Sequence, residues 1–292
     1  MPKILFIINP ISGGKDKQWM LNLIGDHLDC SKYEYDTVFT EGPGHATVLA
    51  RESDADIVVA VGGDGTVSEV ARGLVGGDKV LGIIPCGSGD GLALHLGISR
   101  NPAKAIRVLN EGTVVVTDCG KVNGELFFCT TGMGLDADVA EAFATSGRRG
   151  LWMYISLAWK IWKNFRPAKY EIEVDGERFV TDAVFVTAGN ANQWGNQARI
   201  TSLASVKDGL LDLTVVLPFR TWEIPVLAAK LLDGRAHTSR RTRFYRGRHI
   251  VIRRPSEGAA HRDGDPCRMG TEMEINVVPG ALKVMVPSGR KI

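Results

Sequence analysis

The chain's 292 residues contain no internal repeat, no low-complexity tract and no apolar run long enough to cross a bilayer. With 44% hydrophobic and 23% charged residues, a disordered, collagen-like or integral membrane protein is excluded. Cysteine is scarce and odd in number. Cys30, Cys86, Cys119, Cys129 and Cys267 lack metal-ligand spacing and read as reduced thiols of a cytoplasmic protein. The histidines show no metal or triad spacing either. No charged-then-apolar leader opens the chain: Lys3 to Ile8 runs straight into Asn9-Pro10, as a first strand would. An overall excess of one charge is missing too, the net value being +2. That balance hides a division, because residues 1–146 carry 11 Lys and Arg against 19 Asp and Glu, and residues 147–292 carry 24 against 14. Such asymmetry suits an anionic partner for the second half, or attraction between two oppositely charged halves.

Glycine, by contrast, is abundant, with 34 residues, and it punctuates the apolar runs. Strand patterns at Lys3–Asn9, Tyr35–Thr40, Ile57–Val61 and Val80–Ile84 alternate with helical patterns at Trp19–Leu28, Thr47–Glu52 and Val67–Leu74. Alternation of this kind predicts a parallel sheet covered by helices, with ligands beyond the carboxyl ends of the strands. After about Thr117 the pattern changes to short runs separated by Asp-Gly and Gly turns. They are Leu126–Thr130, Lys169–Val174, Phe179–Ala188, Leu211–Leu217, His249–Arg253, Met273–Val278 and Leu282–Val286. Helical patterns interrupt near Val139–Phe165 and Trp222–Leu232. The expected fold is therefore a three-layer α/β domain over residues 1–117, then an antiparallel β-sandwich with helical insertions over 118–292.

Three glycine turns fall at predicted strand ends. Gly62-Gly63-Asp64-Gly65-Thr66 follows a buried strand and opens a helix, an arrangement that lets backbone and helix N-terminus approach phosphates. Cys86-Gly87-Ser88-Gly89-Asp90-Gly91 repeats the logic after the next strand, and Asn9-Pro10-Ile11-Ser12-Gly13-Gly14-Lys15 follows the first. None is a G-x-x-x-x-G-K-[ST] loop or an opening G-x-G-x-x-G. A tight turn alone would also use glycine at these places, and a hairpin alone would account for Asp263-Gly264.

Taken together the segments resemble the diacylglycerol kinase catalytic domain, of the lipid kinase family that includes sphingosine and ceramide kinases. The resemblance rests on Asn9-Pro10-x-Ser12-Gly13, Gly62-Gly63-Asp64-Gly65-Thr66 and Pro85-x-Gly87-Ser88. Downstream, Asp118-x-Gly120-x-Val122-Asn123-Gly124, Gly189-Asn190-Ala191, Asp208-Gly209-Leu210-Leu211-Asp212, Asp263-Gly264-Asp265 and Pro279-Gly280-Ala281-Leu282 extend it. Gly-Gly-Asp-Gly-Thr is shared with NAD kinases and phosphofructokinases, so the downstream set is what chooses among them. The resemblance implies an NAD kinase/diacylglycerol kinase-like nucleotide domain, a β-sandwich, a cleft between them, and transfer of the γ-phosphoryl group of ATP to a lipid hydroxyl.

Carried over by position, Asn9, Pro10, Ser12, Gly13, Lys15, Thr40, Gly62, Gly63, Asp64, Gly65, Thr66, Glu69, Gly87, Ser88, Gly89 and Asp90 would line the ATP site. Asp263, or alternatively Asp265, would accept the hydroxyl proton. Asp208 would hold a structural Mg2+ with the carbonyls of Ser205 and Leu210, in a network with Asp118 and Asp64. The catalytic Mg2+ would arrive with ATP. One departure is informative: the family's usual Asn-Asp pair is replaced by Asp90-Gly91, which removes one acid and sets an extra negative charge near the phosphates.

Two segments bear on the lipid. Gly150–Arg166 is rich in aromatics and edged by cations, with Trp152, Ile155, Trp159 and Trp162 at helical spacing. It suits an interfacial face, an acyl-chain wall or a core helix. Arg235–Arg254 holds eight arginines, suited to anionic headgroups or to a charged strand edge. The expectation is a cytoplasmic lipid kinase that docks transiently on a membrane, without nucleic acid, and with a homodimer left open. The rivals are a soluble-substrate kinase related to NAD kinase and a non-catalytic lipid or nucleotide sensor.

Overall fold

The computed structural model describes residues 1–12, 18–146 and 151–289, with the backbone alone at Leu151 and Tyr154. The chain divides into two units, Met1–Asp118 with Pro279–Ile292, and Cys119–Val278.

In the first unit the elements are β1 (Lys3–Ile8), α1 (Gln18–His27), β2 (Glu34–Phe39), α2 (His45–Glu52), β3 (Ile57–Gly62), α3 (Asp64–Leu74), β4 (Val80–Pro85), α4 (Gly91–His95), α5 (Pro102–Glu111) and β5 (Thr113–Val122). Strands β2, β1, β3 and β4 pair in that order, all parallel. Every residue of β3 is buried, which is why Ile57 to Val61 reads as an unbroken apolar run rather than an alternation. Helices pack in pairs, α1 with α5 and α2 with α3. Because the strands are parallel, Ile8, Phe39, Gly62 and Pro85 all end on one edge of the sheet, and the turns after them share that edge. Helix α5 does not appear among the patterns read from the sequence. It starts at Asn101, whose side chain accepts the Lys104 amide, with Pro102 in the first turn.

The second unit contains β6 (Glu125–Phe127), β7 (Thr130–Gly134), α6 (Leu135–Thr145), α7 (Leu151–Trp162), β8 (Ala168–Val174), β9 (Glu177–Ala183), β10 (Phe185–Gly189), β11 (Leu211–Val216), α8 (Ile224–Leu232), β12 (Thr242–Gly247), β13 (His249–Arg253), β14 (Gly258–Arg262), β15 (Asp265–Met269) and the start of β16 (Glu272–Val286). One antiparallel sheet runs β12-β11-β10-β7-β14-β15; the other joins β16, β13, β8 and β9. Their inner faces share one core, with Val186, Leu213, Val215 and Met133 from the first and Tyr170, Ile172, Ile250, Ile252 and Met273 from the second. The outer face of the six-stranded sheet is covered as well: Val184, Phe185, Ile200 and Val216 pack against Leu135, Trp162, Phe219 and Leu231. That is an antiparallel sandwich with helices laid on one side.

Three details differ from the sequence patterns. Phe179–Ala188 is two strands in different sheets, since Val184 already donates to the Val216 carbonyl of the six-stranded sheet. Met273–Val278 and Leu282–Val286 are one strand, β16, and its Lys283 and Val284 pair with Val80 and Leu81. Pro279–Ile292 therefore groups with the first unit, not with the rest of residues 118–292. The Val139–Phe165 pattern is two helices, and residues 147–150 between them lie outside the described residues. None of the five cysteines forms a disulfide, and among the described residues no helix is long and apolar enough to cross a membrane.

Candidate active site

At the carboxyl edge of the parallel sheet the glycine turns are built against one another. Asn9 donates through Nδ2 to Thr66 Oγ1 at 3.0 Å and accepts the Ile11 amide on Oδ1. The Gly63 amide donates to Ser12 Oγ at 2.9 Å, and the Cys86 amide donates to the Gly62 carbonyl at 2.7 Å. A Cβ on Gly63 would lie 3.1 Å from Gly87 Cα, and one on Gly87 would lie 2.6 Å from Gly63 Cα. The two turns thus touch main chain to main chain, and only glycine permits that approach. Helix α3 starts beside them without a side-chain cap, so its positive dipole end lies at this edge.

Asp64 braces this surface. Its carboxylate accepts the Asp90 amide at 2.8 Å and the Gly91 amide at 2.7 Å, fixing the second turn to the start of α3. Asp90 sits in the left-handed region, at φ 52°, with its side chain buried. Its Oδ1 accepts the Gly87 amide at 2.9 Å, and its Oδ2 lies 3.2 Å from Arg100 Nε. Burial pushes this carboxyl up, against the opposing pull of the Gly87 amide and Arg100. Arg100 also donates to the carbonyls of Ser88 and Gly89. The extra negative charge is therefore folded back into its own turn and matched by a cation that the motif does not contain. Thr40 follows β2, its amide donating to Ile8, and Glu69 accepts the Gly44 and Ala46 amides at the start of α2. Pro10 follows β1 and Gly65 lies in the first turn of α3, whereas Gly13 and Lys15 are outside the described residues.

The second unit holds the acidic hairpin. Asp263 and Gly264, at φ 49° and 86°, turn β14 into β15, and Asp265 opens β15 on the exposed side. The Asp263 carboxylate is gripped by consecutive amides: Phe128 at 3.0 Å, Cys129 at 2.6 Å and Thr130 at 3.2 Å. Such donors hold a carboxylate rigidly in place. Sequence patterns do not register these amides, which depend on a contact across about 135 positions. Behind the hairpin, buried Asp136 accepts from Thr187 Oγ1 at 2.8 Å and lies 3.1 Å from His261 Nε2.

The turn expected to hold a structural magnesium is occupied by an ion pair. Asp208 Oδ1 accepts the Leu210 amide at 3.1 Å, and Oδ2 accepts from Arg246 Nη2 at 2.7 Å. Ser205 and Leu210 flank the same turn, and Asp118 and Asp64 lie in the first unit. Asp118 accepts the Gly280 amide there. Among the described residues no group of three His, Cys, Asp or Glu side chains is placed to hold a metal. Arg246 also faces Asp212, whose carboxyl burial pushes up to about 6.

The arginine-rich segment is mostly internal wiring. Arg235 pairs with Asp233, Arg241 with Glu223, Arg253 with Glu272, and Arg254 donates to four carbonyls. Helices α7 and α8 instead border an apolar cavity of about 410 Å³, walled by Ile155, Trp159, Trp162, Phe219 and Leu227 over Phe185 and Val216. Trp162 stacks on Phe219 at 4.6 Å and donates to Thr221 Oγ1. Trp152, on α7, is 84% exposed, and Trp222, just before α8, is 68% exposed.

Residues 3–122 match the model of the diacylglycerol kinase catalytic domain, and residues 129–286 match that of the YegS C-terminal NAD kinase beta sandwich-like domain. A diacylglycerol kinase of Bacillus subtilis is 30% identical over 80% of each chain. The chain belongs to the diacylglycerol kinase family of lipid kinases. As a member it is a phosphotransferase. In fold, a diacylglycerol kinase structure from Bacillus anthracis superposes with a TM-score of 0.75 at 22% identity, covering 98% of this chain and 97% of that one. An NAD kinase from Archaeoglobus fulgidus in complex with ATP gives 0.56 at 12% identity over 98% and 94%. The lipid kinase family thus has both halves here, the glycine turns in the first match and the acidic hairpin in the second.

Proposed function

We propose that this lipid kinase transfers the γ-phosphoryl group of Mg·ATP to the hydroxyl of a long-chain lipid, a diacylglycerol or a sphingoid-type lipid, at a membrane surface. The observation that carries the lipid reading is the 410 Å³ cavity between α7 and α8, lined almost wholly by hydrocarbon and aromatic side chains. Its size is that of a small-molecule site, and hydrocarbon gains about 0.8 kcal/mol per methylene on entering such surroundings. A water-soluble dinucleotide has nothing to place there. The exposed Trp152 and Trp222, with Lys160, Lys163 and Arg166 on the same helix or just after it, suit the headgroup boundary.

For the nucleotide, the support is a ligand surface made of main chain. Amides at the start of α3 and those of Ser88 and Gly89 in the second turn would meet the phosphates, with magnesium entering as part of the substrate. The acceptor oxygen forms a bond to the γ-phosphorus as the bond to the β-bridging oxygen breaks, releasing ADP. The hydroxyl proton passes to Asp263, whose carboxylate is anchored by the amides of 128–130. Phosphoryl transfer asks for positioning more than for a strong base, so a well-held carboxylate suffices.

The test is to incubate the protein with labelled ATP and vesicles containing diacylglycerol, sphingoid base or ceramide, with NAD as a soluble control. Label is expected in one lipid class and not in NAD. Asp263→Asn is expected to lower kcat by about 10² to 10⁴-fold with the fold retained by circular dichroism. Labelled NAD without labelled lipid would overturn the acceptor assignment, and wild-type turnover in Asp263→Asn would remove the base.

A further inference from the structure

We propose that Arg246 is a built-in cation at the Asp208 turn, in the place where the motif resemblance implies a divalent metal, so that the second unit folds without one. The assignment is independent of which lipid is phosphorylated.

Arg246 lies on β12 directly opposite Asp212 on β11, so the strand pairing delivers its side chain to this place. Its Nη2 is 2.7 Å from Asp208 Oδ2 and 3.3 Å from Asp212 Oδ2, and its Nε is 3.1 Å from Asp212 Oδ1. Nη2 also reaches the Leu203 carbonyl at 3.4 Å. Two carboxylates and a carbonyl converging on one point are a donor set of hard oxygens, the kind a magnesium ion selects. Here a guanidinium fork already fills it.

The two occupants compete for the same oxygens. A magnesium bound to Asp208 would need an oxygen at about 2.0–2.1 Å, from a carboxylate whose two oxygens already accept from Arg246 and the Leu210 amide. It would also stand within a few ångströms of a fixed positive charge. Asp212 requires some cation, because its side chain is only 1% exposed and a buried lone carboxylate is costly. A side chain anchored in the ladder meets that need at any metal concentration.

The readout is thermal unfolding of the full chain without nucleotide, in EDTA and again in excess MgCl2. The wild type is expected to melt at the same temperature in both. Arg246→Met, which keeps the bulk and removes the charge, is expected to melt several degrees lower in EDTA and to recover part of the loss in MgCl2. A wild type that melts earlier in EDTA and is restored by magnesium would overturn the proposal. So would an Arg246→Met protein that loses no stability, or one whose loss magnesium leaves untouched. Should that variant fail to fold, titration calorimetry of MgCl2 into the nucleotide-free wild type decides. No saturable heat supports the proposal, and a saturable heat that Asp208→Asn abolishes refutes it.

Discussion

The two units present opposite kinds of surface. The carboxyl edge of the first unit is almost bare of side chains: Gly63, Gly65, Gly87 and Gly89 leave main chain at least partly exposed, and the acids beside them, Asp64 and Asp90, are turned inward to hold it. The α7–α8 side of the second unit is the reverse, a cavity made of side chains with hardly a polar atom in reach. Amides and a helix dipole recognise phosphate; hydrocarbon recognises hydrocarbon. The difference teaches that acidic residues in a motif need not face the ligand. Asp64 acts on the backbone that would do so, and Asp263 itself is held by backbone.

Adding one carbon to the bare surface is the sharpest way to break this contrast. Gly87→Ala would place a Cβ 2.6 Å from Gly63 Cα and 2.7 Å from Asp90 Oδ1, so the turns must part. We expect kcat/KM for ATP to fall by about 10²-fold, as when donor geometry is displaced by about an ångström, with stability reduced by about 1–3 kcal/mol. Steady-state kinetics beside chemical denaturation would measure both, and wild-type kinetics would mean the turns do not meet ATP. A smaller effect is expected where side chains are the surface. Ala158→Phe would fill part of the cavity from α7. The KM for a long-chain lipid should rise about tenfold, equivalent to 1.4 kcal/mol, with the KM for ATP and the turnover of a short-chain acceptor unchanged. Equal losses for both chain lengths would separate the cavity from the acyl chain.

Legibility follows the same line. The buried run Ile57–Val61 ending in Gly62-Gly63 is local, so the parallel sheet and its turns can be read from spacing alone. The break of Phe179–Ala188 into β9 and β10 is not local: it depends on Val184 being claimed by Val216, on another strand. Likewise Pro279-Gly280 looks like a strand terminator, yet β16 runs through it, with Gly280 at φ 61° and its amide held by Asp118 from 162 positions earlier. The family motifs mark Asp208 but not Arg246, because the metal-binding reading and the ion-pair reading share the same aspartate. What was missed in the candidate site is, in each case, the partner of a residue that was found.

Arg100 is the clearest of these partners, and it carries the smallest predicted effect. Arg100→Ala removes the cation 3.2 Å from Asp90 and the bonds to the Ser88 and Gly89 carbonyls, leaving a buried carboxylate unmatched. The KM for ATP should rise about three- to tenfold with kcat little changed, because the turn is loosened and the reacting groups are untouched. Asp90→Asn keeps an oxygen for the Gly87 amide, tolerates the left-handed backbone and needs no counter-charge, so alone it should be near wild type. Combined with Arg100→Ala it should recover a good part of the loss. That non-additivity in a double-mutant cycle is the signature of charge matching within the turn. Strict additivity would show instead that Arg100 acts only through the two carbonyls, and the inward-facing acid would then be a spectator of nucleotide binding.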